Sequence, residues 1–160
     1  MADPHAPYAE AVMKALGNLH DPANSWTEYN SDDGEVMLME IVITLDRARA
    51  LAAGWARGVL ILWNQVTGWG WAYMTDERGG NSNPDDLLLG PLVADPADVA
   101  RAVQALLTKD GHEQLPLPAK ERPGPDAPLT PELTQAVGSG GDGDRDISPE
   151  GAAALAKYTS

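Results

Sequence analysis

The chain has no cysteine and no phenylalanine in its 160 residues, and only 11 lysines and arginines stand against 24 acids. Without cysteine there is no disulfide framework and no thiolate metal site. That suits a reducing compartment, and the cytoplasm is the expected location. The shortage of bases leaves a net charge of −13. Residues 1–109 hold 15 acids and 7 bases, and residues 110–160 hold 9 and 4, so both parts are acidic. Proteins bind nucleic-acid phosphates by displacing counterions with Lys and Arg, so no nucleic-acid partner is expected. No stretch reaches the roughly 18 apolar residues of a membrane helix. The leader MADPHAPYAE lacks the basic segment and apolar run of a secretory signal.

Signatures of chemistry are missing as well. The three histidines, His5, His20 and His112, include no pair at helical i, i+3 or i+4 spacing, so no helical metal pair exists. The acidic run from Asp142 to Asp146 fails as a calcium loop. Ile147 stands where the turn glycine belongs and Ala153 where the bidentate glutamate belongs. No glycine-rich stretch leads into Gly-Lys-Ser/Thr, and there is no Gly-x-Ser-x-Gly elbow. No catalytic residue, metal ligand or cofactor is therefore assigned from sequence.

What is present centres on VLILWNQVTGWGWAYM, residues 59–74, which holds three of the five tryptophans. It reads as a hairpin with Asn64 holding the turn and Gly68 supplying a positive φ. A four-residue loop pairs Asn64 with Trp69. Leu60, Leu62, Trp69, Trp71 and Tyr73 then share one face, and Val59, Ile61, Trp63, Gly70, Ala72 and Met74 the other. A three-residue loop shifts the pairing by one. The four-residue loop is the expectation.

Around the hairpin, Tyr8, Val12 and Leu16 form the apolar stripe of a first helix that Gly17 stops. Residues 20–34 read as a polar connection holding Trp26 and Tyr29. Glu35–Leu45 reads as a central strand, apolar on both faces except at Glu40. Asp46 caps a short helix over 47–53, ended by Gly54. Residues 75–86 are turn-forming. Leu87–Val93 reads as a strand broken by Gly90-Pro91. Asp95 and Pro96 open a helix whose stripe is Val99, Ala102, Val103, Leu106 and Leu107.

This order predicts an α+β domain over residues 1–111: a small, mostly antiparallel sheet packed by the domain's N- and C-terminal helices. Residues 112–160 read as a largely disordered acidic tail, rich in proline and then in glycine, with a short helix over 148–158 only if it docks. Removing residues 115–160 is expected to leave domain stability nearly unchanged.

The blocks YAEAVMKAL, VLILWNQVTGWGWA and DLLLGPLVADPADVARAVQALL together resemble an uncharacterised actinobacterial family classed only as a domain of unknown function. Its pattern is similar to Tyr8-x-x-x-Val12-x-x-x-Leu16, then Trp63 to Trp69, then Leu89-Gly90, Pro96 and Val99-Ala100. The resemblance covers about residues 8–108. Asn64 and Gln65 stand where acids are usual in the family. The resemblance implies a fold and brings no catalytic residue with it.

The leading functional expectation is a non-enzymatic interaction module that binds an unidentified protein, or a second copy of itself, through an aromatic sheet face or an edge strand. Its candidate binding residues are Trp26, Trp55, Trp69, Trp71 and Tyr73, because tryptophan and tyrosine concentrate at binding hot spots. Trp26 and Trp55 lie in connections and are expected to be exposed. An alternative is a small-ligand binder or hydrolase using Asp76, Glu77, Asp85 and Asp86 of the 75–86 loop. A further one is an acidic mimic that occupies a basic protein. Glu40 is the acid best placed for a raised pKa, unless it is an edge glutamate or pairs with Arg47 or Arg57.

Overall fold

The computed structural model describes residues 5–32, 36–75, 80–90, 92–118 and 149–158. The chain opens with α1 (Ala6–Leu16), which ends where Gly17 adopts φ 53°. A turn of 3-10 helix leads into β1 (His20–Asp32), followed by β2 (Val36–Leu45), α2 (Arg47–Ala52), β3 (Val59–Asn64), β4 (Gly68–Tyr73) and β5 (Asp85–Asp86). These five strands form one antiparallel sheet in chain order. Then come β6 (Leu88–Leu89), α3 (Pro96–Leu106), β7 (Leu117–Pro118) and α4 (Pro149–Ala156), with β6 and β7 paired in parallel. The protein is thus α+β, with helices from its N- and C-terminal parts on the sheet.

The caps fall where their chemistry places them. The Asp46 carboxylate accepts from the Arg49 N–H at 3.1 Å, and that of Asp95 from the Ala97 N–H at 2.9 Å. Each relieves a backbone donor that has no partner inside the helix.

The polar segment read as a connection over 20–34 is instead the strand β1, so Trp26 lies in a strand. Its composition is poor for a strand, but it sits at the sheet edge, where among the described residues one side pairs with no other strand. Its order comes from the ladder with β2, in register from Ser25 opposite Ile43 to Asp32 opposite Val36. His20 pairs with Leu45, so residues 21–24 bulge out opposite Thr44 alone. The bulge is closed locally. Asp21 accepts from the Ala23 N–H at 3.1 Å and from the Asn24 side chain at 2.7 Å. The Ser25 hydroxyl donates to the Asp21 carbonyl and accepts from the Thr44 N–H.

The hairpin register also differs from expectation. Asn64 pairs with Gly68 across a three-residue loop, which aligns Trp63 with Trp69, Ile61 with Trp71 and Leu62 with Gly70. Gly68 has φ 73° and closes the turn. Asn64 keeps its role: its Oδ1 accepts from the N–H groups of Val66 and Thr67 at 2.9 and 2.8 Å. The Gln65 side chain turns inward and accepts from the Met39 N–H at 2.9 Å, tying the loop to β2. That anchor favours the shorter loop. Val59, Ile61 and Trp63 therefore share the core face with Trp69 and Trp71, and Leu60, Leu62 and Ala72 lie on the opposite one.

On the core face Met39, Ile41, Ile43, Ile61 and Trp63 meet Tyr8, Val12 and Leu16 of α1 and Val99, Val103 and Leu106 of α3. Burying each such side chain stabilises the fold by about 1.5–3 kcal/mol. Residues that composition placed in the tail also pack here. The Leu117 N–H donates to the Leu87 carbonyl at 3.2 Å, and Ala152, Leu155 and Ala156 of α4 are buried in the same core. Of the segment expected to lack structure over 112–147, residues 112–118 instead form a 3-10 turn and β7, and 119–147 lie outside the described residues.

Candidate functional site

Two of the tryptophans on the core face belong to a hydrogen-bonded network inside the fold. The Trp69 indole N–H donates to the Tyr8 hydroxyl at 2.9 Å, and that hydroxyl donates to the Ala94 carbonyl. The Trp63 N–H donates to the Leu92 carbonyl at 2.8 Å. His5, itself buried, stacks on Trp63 and bonds the Glu40 carbonyl at 2.8 Å. Burial pushes the Tyr8 phenol well above its ordinary value, against the smaller opposite pull of the Trp69 N–H, so it stays neutral. Trp69 is only 3% exposed and Trp71 only 8%. Trp69 sits too deep to meet a ligand while the fold is closed.

A second aromatic group sits at the margin of this face. Trp55, in the turn after α2, donates its N–H to the Leu106 carbonyl at 2.9 Å. Its ring stacks on Tyr73 at 5.8 Å and meets Trp71 and His112 edge-on at 5.3 and 5.1 Å. Tyr73 is exposed and Trp55 half-buried. The structure thus gathers Trp55, Trp71 and Tyr73, adds His112, and leaves Trp69 in the core.

Trp26 lies on the other side of the sheet, 48% exposed. There it walls an open groove of about 370 Å³ between the β1 bulge and the outer sheet face. Thr44, Leu45, Leu60 and Met74 floor the groove, with Asp21, Asn24, Arg47, Arg57, Gly58 and Asn81 around it. A shallower depression adjoins it across Arg57, Gly58 and Met74 and reaches Tyr73 and Trp55. Among the described residues the ion pairs are Arg49–Asp46 and Arg101–Asp98, and neither involves Arg47 or Arg57. The sequence pattern marks Arg47 and Arg57 only as alternative partners for Glu40, not as two charges at one groove. They lie ten positions apart, and the turn after α2 with the β2–β3 pairing and the bulge brings them to one hollow.

Glu40 also lies on the outer face, directly opposite Glu28. Partial burial raises its carboxyl above the usual range, and the Glu28 charge adds to that. It has no ion pair with Arg47 or Arg57. Of the loop acids, Asp85 and Asp86 form β5, exposed opposite Trp71 and Gly70, and Asp76 and Glu77 lie outside the described residues. Among the described residues no group of three or more acids and histidines is placed to hold a metal ion. Nor is any described helix long and apolar enough to cross a membrane.

The family of unknown function DUF6292 matches residues 8–105. No curated protein and no solved structure matches the chain. The matched segment begins at Tyr8, contains the whole five-stranded sheet and ends one residue short of the end of α3. It leaves β7 and α4 outside. Tyr8, Trp63 and Trp69, all within the matched segment, lie in the buried network. With well over half its length matched, the chain belongs to the family of unknown function DUF6292.

Proposed function

We propose that the domain is a non-enzymatic interaction module that binds an extended segment of a protein partner along the free edge of β1. The observation that carries this reading is β1 itself. It is 13 residues long, pairs among the described residues only with β2, and presents the exposed Trp26 on the outer sheet face. An edge strand offers a row of backbone donors and acceptors that an incoming strand can complete. A partly exposed tryptophan beside that row adds apolar contact area. The acids Asp21 and Glu28 along β1 oppose pairing with a second copy and favour a basic or neutral partner. The lack of cysteine supports action in the cytoplasm.

Photo-crosslinking in native extract tests this. A crosslinking residue replaces Trp26 in one sample and the exposed Glu10 of α1 in another. The reading predicts a product specific to position 26, of a mass above that of the chain. Identical products from both positions, or none, overturn it.

A further inference from the structure

The groove on the outer face has a chemistry distinct from that of the strand edge. Its floor is mostly apolar, Leu45, Leu60 and Met74 beside Thr44, and its side wall is the Trp26 ring. Arg47 and Arg57 stand at its rim, both exposed and with no carboxylate within ion-pair distance among the described residues. In a chain of net charge −13, two arginines left without acidic partners around one apolar hollow form a local reversal of sign. The acid at the groove, Asp21, is engaged by the Ala23 N–H and the Asn24 amide of its own bulge. The lining carries two positive charges against one negative.

We propose that this groove binds a small monoanionic organic acid. Its apolar body lies over Leu60 and Met74 against Trp26, and its carboxylate lies between Arg47 and Arg57. The volume of about 370 Å³ falls within the range of sites that hold small molecules. A guanidinium fork matches a carboxylate in shape and charge. The excess of one positive charge suits a monoanion better than a doubly charged phosphate. The site needs no protein partner, so it stands independently of the edge-strand reading.

The test is an NMR titration of the full-length, 15N-labelled protein with 4-phenylbutyrate, and with the neutral 4-phenylbutanamide as comparison. The acid is expected to shift the Trp26 indole N–H signal saturably. The indole signals of Trp55, Trp63 and Trp69, held by internal hydrogen bonds, should stay in place and report an intact fold. The amide should bind about tenfold more weakly. The double variant Arg47→Gln, Arg57→Gln should reduce the acid to the affinity of the amide. A shift that does not saturate, equal affinity for acid and amide, or a double variant that binds the acid as the wild type does would each overturn the proposal.

Discussion

Tyr8 and Trp69 are 61 residues apart in the chain, yet the indole N–H of one donates to the hydroxyl of the other at 2.9 Å in the interior. The same hydroxyl donates to the Ala94 carbonyl, so one phenol joins α1, β4 and the segment before α3. Tyr8→Phe keeps the ring and removes only that junction. It leaves a buried donor and a buried acceptor without their partner, which costs about 1–3 kcal/mol each when unrelieved. Urea unfolding should show a lower midpoint with an unchanged slope. A midpoint equal to that of the wild type would mean the junction contributes nothing.

Asn64 acts at the turn purely as an acceptor, taking the N–H groups of Val66 and Thr67 on one oxygen. An aspartate offers the same oxygen, so Asn64→Asp is expected to be nearly neutral. Asn64→Ala removes the acceptor and should cost about 0.5–1.5 kcal/mol. Paired denaturation curves check the contrast, and equal losses in the two variants would refute it.

Glu40 carries a raised pKa in the folded protein. Between the unfolded and folded values the native state binds the extra proton, so its stability contribution is present below the unfolded value and is lost as pH rises through the folded one. Glu40→Gln removes this loss. From about pH 4 to about pH 7 the urea midpoint of the variant should rise relative to that of the wild type. A difference that is flat or of opposite sign would contradict the cause given for the shift.

Leu155 is fully buried, and Tyr158, just beyond α4, lies 5.0 Å from Tyr8 ring to ring. Leu155→Ala should therefore destabilise the whole domain by about 2–5 kcal/mol. Deleting residues 149–160 should lower the thermal midpoint by several degrees. This reverses what composition alone predicts for the tail. Unchanged melting after both alterations would mean that α4 contributes no packing energy.

Local chemistry made part of this fold legible in advance. The stripe of Tyr8, Val12 and Leu16, the caps Asp46 and Asp95, and the stop at Gly17 depend on neighbours within a turn or two of chain. So does the pairing of two apolar strands around Asn64 and Gly68. Covalent geometry and side-chain period are enough for these. Trp26 shows where that reasoning ends: its segment is polar, and only the ladder offered by β2 makes it a strand. The hairpin register turned on Gln65 reaching a backbone N–H on β2, a contact that spans 26 residues. Leu155 has the same apolar character docked or free, and its place in the common core is decided by packing far along the chain. The groove depends most on tertiary structure, since it needs the bulge at Asp21, the arginines at 47 and 57, and Met74 in one place. The sequence by itself determined which segments can be helix or strand, because those preferences are local. Which faces meet, which strand forms the edge and which charges share a hollow were decided by long-range packing, where the energy of burial acts between residues that the chain keeps far apart.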